Sequence, residues 1–197
     1  MINSQNDIFR IFKNYFDQIH LVQEEVLFDY FNLWSEVEYA AKTIITGVGE
    51  IQRDMYFILD GVHKSYQISQ DKIHVLEFTY FPSLSGIPDS FIMQTPSKYY
   101  LETISKSKLL KISYDSHNSF LESNRQIETL FRKITELILF NIIDRYYDLN
   151  AYDMKERFTT QLQKRPELLN LVPRKDLASY LRIDSTNLSK LIKSVKI

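Results

Sequence analysis

The chain has 197 residues, 44% hydrophobic and 25% charged, with a formal net charge of -1. That is one generous domain or two small ones with ample apolar material, and 13 Tyr and 13 Phe exclude a disordered chain, as 4 Gly and 5 Pro exclude a collagen-like one. There is no cysteine, which excludes disulfides, thiolate metal sites, iron–sulfur clusters and a cysteine nucleophile, and permits a reducing cytoplasm.

Met1 to Arg10 lacks a basic start followed by an apolar run, so no signal peptide is expected. The most apolar stretch, around Leu137 to Ile143, is interrupted by Glu136, Asn141 and Asp144. No membrane span is expected.

Asp7 to Asn32 reads as helical, with Ile8, Phe9, Ile11, Phe12, Tyr15, Phe16 and Ile19 at helical spacing and a second short helix at Gln23 to Phe31. From Val37 to Ile112 the pattern changes to short strands: Val37–Tyr39, Lys42–Ile45, Met55–Leu59, Val62–Ile68, Ile73–Phe78, Tyr99–Ile104 and Lys108–Ile112. Asp60-Gly61 predicts a hairpin pairing the third and fourth of these, and Ser69-Gln70-Asp71-Lys72 a second turn. Phe81 to Asp89 is rich in Pro, Gly and Ser and predicts a loop, followed by a helical turn at Ser90–Gln94. Such a run of strands suits a small barrel, roll or sandwich.

A long helix follows from Gln126 to about Leu149, roughly 25 residues or ~37 Å. Its heptad-like line Ile127, Leu130, Ile134, Leu137 and Asn141 predicts a dimer seam, with Asn141 setting register. Met154–Gln163 predicts another helix, Pro166 opens a short one, and Val172-Pro173 ends it.

The near-zero net charge conceals a split. From Met154 onward there are ten basic residues, Lys155, Arg157, Lys164, Arg165, Arg174, Lys175, Arg182, Lys190, Lys193 and Lys196, against four acidic ones, giving +6. The preceding part carries 14 basic and 21 acidic side chains, giving -7. A basic end beside an acidic body suggests a module for a polyanion.

Arg174 to Lys193 fits a helix-turn-helix. Ala178 supplies the small contact residue, and Leu177, Leu181, Ile183, Leu188 and Leu191 supply the inward face. Asp184 is placed to cap the second helix. Ser185, Thr186, Asn187, Ser189, Lys190 and Lys193 then face outward, short or cationic as a major groove and its phosphates require. Arg182 occupies the turn position where glycine would relieve a positive φ.

The order of these parts resembles the cyclic-AMP receptor protein/Fnr (Crp/Fnr) family of bacterial transcription regulators over nearly the whole chain. Met55-Tyr56-Phe57-Ile58-Leu59-Asp60-Gly61 resembles that family's β-roll strand and turn. Arg165-Pro166-Glu167-Leu168-Leu169 and Val172 to Leu181 resemble its helix-turn-helix entry. The resemblance implies an α+β protein. An N-terminal double-stranded β-helix (a jelly-roll-like β-roll) would occupy residues 1–124 as the sensor, a dimerisation helix 125–150, and a helix-turn-helix DNA-binding domain 151–197. It implies a homodimer on double-stranded DNA, with Thr186, Asn187, Ser189 and Lys190 at base edges and Lys175, Ser185 and Lys193 at phosphates.

The family's nucleotide pocket has a Gly-Glu pair for the ribose and an arginine for the cyclic phosphate. Here Ile87 stands at the glutamate position and Ser97 at the arginine position, with Lys98 beside it. An unpaired buried phosphate is costly, so cyclic AMP is not expected to bind tightly. A pocket at Ile87, Ser90, Phe91, Ser97, Lys98 and Tyr99 would prefer a less charged effector. A ligand between roll and long helix would reorient the basic domains; the alternative is DNA competence without a ligand.

No cofactor or metal is expected. The histidines 20, 63, 74 and 117 are scattered, and no His-x-His of a cupin site occurs. Gly47-Val48-Gly49 lacks the third glycine of a dinucleotide loop, and Glu24-Glu25 reads as a solvated helix face. An enzyme is therefore not expected. The competing reading is a protein-interaction or small-ligand-binding roll that has lost sequence-specific DNA binding.

Overall fold

The computed structural model describes residues 5–194; the counted cation Lys196 and the domain end at residue 197 lie outside the described residues. The first helices are α1 (Gln5–Asp17), which buries Ile8, Phe12 and Phe16 at four-residue spacing, and α2 (Glu24–Phe31), which buries Leu27, Tyr30 and Phe31.

Eight strands follow among the described residues: β1 (Ser35–Tyr39), β2 (Ile44–Thr46), β3 (Asp54–Asp60), β4 (Val62–Ser69), β5 (Lys72–Tyr80), β6 (Ser83–Ser85), β7 (Tyr100–Thr103) and β8 (Ser107–Ser113). They form two antiparallel four-stranded sheets, in the order β1-β8-β3-β6 and β2-β7-β4-β5. Short α3 (Pro88–Met93) lies between β6 and β7, and α4 (Tyr114–Ser123) follows β8.

The expected hairpin at Asp60-Gly61 is not formed. β3 pairs with β6 and β8, whereas β4 pairs with β5 and β7 in the other sheet. Gly61, at φ 104°, turns the chain across the roll from one sheet to the other. The true hairpin is β4–β5, where Gln70 (φ 51°) and Asp71 (φ 57°) form the two-residue loop between Ser69 and Lys72.

Two further elements were not expected. β6 sits inside the predicted loop and is ordered by pairing with β3, Tyr56 opposite Ser85. α4 buries His117 and packs Phe120 and Leu121 against the core, a short stripe diluted by polar residues; its start is capped by Ser113 Oγ, which accepts from the Ser116 N–H at 3.2 Å. Pro166 lies in a turn, and the short helix α7 runs from Leu168–Leu171.

The layers follow from alternation along the strands. On β3, Phe57 and Leu59 face α1, α2 and the first half of α5 (Arg125–Ala151), together with Leu110 and Ile112 of β8. Tyr56 and Ile58 face the roll interior with Ile87, Leu101 and Leu109. That double burial explains why Tyr56 to Leu59 is a continuous apolar run. The outer face of the second sheet, Val62, Tyr66, Val75 and Phe78, is covered by the C-terminal helices.

The long helix α5 changes its relation to the body midway. Asn124 caps it by accepting from the Gln126 and Ile127 N–H groups. Ile127, Leu130 and Ile134 of the expected seam are buried in the core of their own domain. They cannot meet a partner, and the expected heptad line is corrected. In the first half of the helix the apolar stripe serves the intramolecular core, whose spacing matches that of a partner seam. From Leu137 on, the side facing the chain's own C-terminal helices turns polar: Asp148 accepts from Lys164 at 3.1 Å, and Arg145 donates to the Tyr180 carbonyl at 2.7 Å. On the opposite side, Leu139, Ile142, Ile143 and Tyr146 are between 54% and 71% exposed. At 100° per residue these four lie on one face.

Candidate nucleic-acid interface

The C-terminal helices are α6 (Met154–Lys164), α7, α8 (Arg174–Leu181) and α9 (Ser185–Ser194). α6 opens on a capping box in which Asp153 accepts from the Lys155 and Glu156 N–H groups and Glu156 reaches back to the Asp153 N–H. Phe158, Leu168, Leu177, Ala178, Leu181, Ile183 and Leu188 are buried around a common centre. Leu191 packs against it. Every residue expected on the inward face is found there.

The turn between α8 and α9 is a glycine-free Schellman turn. Arg182 has φ 52° and ψ 45°. Its N–H donates to the Ser179 carbonyl (3.1 Å), and the Ile183 N–H donates to the Ala178 carbonyl (2.9 Å). A left-handed non-glycine residue costs about 1 kcal/mol, and Arg157 of α6 offsets it. Its guanidinium donates to the carbonyls of Leu181 (3.0 Å), Arg182 (3.2 Å) and Tyr152 (2.7 Å). Asp184 then caps α9, accepting from the Thr186 (2.8 Å) and Asn187 (3.4 Å) N–H groups, and these bonds hold its carboxyl below the usual range.

With Leu188, Leu191 and Ile192 turned inward, helical geometry sets Thr186, Lys190 and Lys193 on the opposite face, all exposed. Ser185 and Ser189 flank them; the Ser189 hydroxyl already donates to the Ser185 carbonyl at 2.8 Å. Asn187 lies at the edge of the face, half-buried. Lys175, in the first turn of α8, is exposed.

The basic residues separate into two sets. Arg157 is committed to backbone carbonyls, Arg165 to Glu77 and the Phe78 carbonyl, and Lys164 to Asp148. Lys155, Arg174, Lys175, Arg182, Lys190 and Lys193 are exposed and, among the described residues, make no ion pair. Arg174 and Arg182 were not among the expected DNA contacts. The signal for Arg182 was its place in the turn, where the backbone conformation projects the side chain outward.

The expected effector residues are dispersed among protein contacts. Ile87 is buried in the roll interior, with Tyr99 packed on the same cluster. Buried Phe91 instead stacks its edge on Tyr114. Ser90 Oγ accepts from the Gln52 N–H and donates to the Thr95 carbonyl. Ser97 Oγ accepts from the Tyr99 N–H and donates to the Tyr99 carbonyl, while Lys98 is exposed. A groove of about 440 Å³ lies elsewhere, lined by Leu33, Asp115, Ser116, Ser119, Phe120 and Ser123. Among the described residues no helix is long and apolar enough to cross a membrane.

No family model and no curated protein matches the chain. Solved structures do. FixK2 from Bradyrhizobium japonicum superposes with a TM-score of 0.70 at 18% identity, covering 81% of this chain and 83% of that one. CLP of Xanthomonas campestris, a c-di-GMP-responsive global regulator linking cell-cell signalling to virulence gene expression, gives 0.67 at 15% identity over 87% and 90%. The catabolite activator protein of Thermus thermophilus gives 0.57 at 12% identity over 89% and 84%. The chain therefore has the Crp/Fnr-type fold: a cyclic-nucleotide-binding-like β-roll, a long helix and a C-terminal helix-turn-helix.

Proposed function

We propose that this chain is a DNA-binding transcriptional regulator of the Crp/Fnr type that works as a two-fold homodimer in the cytoplasm and is not an enzyme. One observation carries the reading. A capped, glycine-free helix-turn-helix presents Thr186, Lys190 and Lys193 on one exposed face, beside exposed cations that, among the described residues, make no ion pair. Phosphate neutralisation by such cations supplies affinity, and side chains on the second helix supply sequence readout. The regulators that share the fold support it.

In this reading residues 1–124 form the sensor-like roll, 125–150 the dimer helix and 151–197 the DNA-binding unit. The dimer forms through Leu139, Ile142, Ile143 and Tyr146, so that paired α9 helices meet successive major grooves about 34 Å apart. Lys190, Thr186, Ser189 and Asn187 read bases; Lys175, Ser185, Lys193, Arg174 and Arg182 hold phosphates. Cyclic AMP is not the effector. Ser97 stands where a phosphate-binding cation is needed, its hydroxyl is engaged with Tyr99, and Lys98 lies outside. An effector, where one acts, is a less charged small molecule near Ile87, Phe91 and Tyr99.

The test is selection of genomic duplex fragments by the purified protein. An enriched palindromic motif is expected. Lys190→Ala should alter the motif, and Lys193→Ala should weaken all sites and lower the salt slope by about one. Absence of any enriched fragment favours the interaction-module reading. Micromolar saturable binding of cyclic AMP would remove the effector assignment.

A further inference from the structure

β5 is an edge strand, and its outward backbone groups have found partners on α8 and at the end of α6. Ser179 behaves like a neighbouring strand: its Oγ accepts from the Val75 N–H at 3.0 Å and donates to the Ile73 carbonyl at 2.7 Å. Arg165 continues along the same edge, donating to the Phe78 carbonyl (2.6 Å), Glu77 Oε1 (2.5 Å) and Tyr80 Oη (3.0 Å). Across the face of the sheet, Lys64 of β4 donates to Asp176 of α8 at 3.0 Å, with Glu102 of β7 at 3.7 Å, and both Lys64 and Asp176 are buried.

Four independent kinds of contact therefore meet at one joint: edge hydrogen bonds, a buried ion pair, an arginine fork and a ring pair, Phe78 with Tyr180. Lifting α8 off would expose an unpaired strand edge and the apolar face of β4 and β5, which folded proteins avoid. It would also break the 3.0 Å Lys64–Asp176 pair, leaving Lys64 only the longer contact to Glu102. The docking leaves Lys175 of α8 and Thr186, Lys190 and Lys193 of α9 exposed.

We infer that Ser179, Asp176 and Arg165 are positioning residues that fasten the helix-turn-helix to the edge of its own β-roll, and so hold α9 in one orientation without any ligand. The inference rests on the DNA-binding reading and specifies its regulation. The roll and the helix-turn-helix move as one body, and a change in operator geometry comes from the angle between protomers along α5, not from a swing of the C-terminal helices.

The cysteine-free chain allows a direct test. Asp29→Cys on α2 and Asn170→Cys on α7, both exposed positions, carry a pair of spin labels. Labelled chains are diluted into unlabelled ones so that only distances within a chain are read. The expected result for the ligand-free protein is a single narrow distance, unchanged by operator duplex. Asp176→Asn with Ser179→Ala should broaden it and weaken duplex binding at least tenfold. The exchange Lys64→Asp with Asp176→Lys, which rebuilds the pair, should narrow it again. Several distances in the unaltered protein, a shift on adding duplex, or a distribution still narrow in the double variant would each overturn the clasp. A narrow distance in a protein that binds no duplex removes the DNA-binding reading and leaves the clasp standing.

Discussion

Arg157 holds Arg182: the guanidinium on α6 donates to the Arg182 carbonyl at 3.2 Å, in the turn that starts the second helix of the motif. One cation is spent inside the fold so that another can be shown outside it. Counted as charges, the two are alike. Read as structure, one is a strut and the other a surface group.

Arg157→Gln should therefore lower stability by about 1–3 kcal/mol, the range for charge-assisted hydrogen bonds. It should also weaken duplex binding while leaving the slope of log K against log salt unchanged, because no phosphate contact is lost. Thermal melts and binding titrations at several salt concentrations check both. A slope reduced by one would mean that Arg157 reaches the backbone of the duplex.

Acid should destabilise the protein well above the carboxylate range. Burial pushes His63 and His117 down to about 4. Among the described residues His63 Nε2 has no hydrogen-bond partner, and His117 Nδ1 is engaged with Tyr30 Oη at 2.7 Å. Unfolded, each titrates near 6.5. Below that pH the unfolded chain takes up protons that the folded chain refuses. Each histidine then lowers stability by about 1.4 kcal/mol per pH unit down to roughly pH 4. Above pH 6.5 neither contributes a slope. Urea midpoints from pH 7.5 to 4 should show this, and His63→Gln should remove about half of it; an unchanged slope would contradict the assignment.

The two halves of α5 should respond differently to substitution. Ile134→Ala should cost about 2–4 kcal/mol of folding stability, as for a buried aliphatic side chain, and leave the oligomeric state alone. Ile143→Asp, on the exposed face, should leave the protomer folded and convert the dimer to monomer in sedimentation. Retention of the dimer would place the interface on another surface.

Gly61→Ala should destabilise the roll by at least about 2 kcal/mol. A Cβ there would stand 2.2 Å from Ser107 Oγ and 2.8 Å from its Cα, at a φ of +104° that side chains rarely adopt. Denaturant unfolding measures the loss, and an unchanged midpoint would show that the sheet crossing tolerates a side chain.

Much of the architecture was legible in local pattern. Period-four apolar residues marked α1. Alternating and continuous apolar runs marked β1, β3, β4, β5 and β8. Asp184, Ala178 and the inward leucines marked the helix-turn-helix, and the positive φ at Arg182 was anticipated from its place in the turn. These signals are local because capping, helical spacing and turn chemistry act over a few residues. Partner choice was not legible. Asp60-Gly61 has the composition of a hairpin, yet it crosses between sheets, because pairing is decided by which strands lie beside β3 and β4.

The order of elements, the capped helix-turn-helix and the charge split are properties of the residues themselves, written in short-range chemistry. Only the tertiary structure decided which apolar face of α5 is used up at home, which arginines are struts and which are free, and that α8 closes the open edge of β5. Those outcomes depend on contacts between residues far apart in the chain, Lys64 and Asp176 at 112 positions and Phe16 and Phe131 at 115. A side chain's type states what it can pair with, and the fold alone states what it meets.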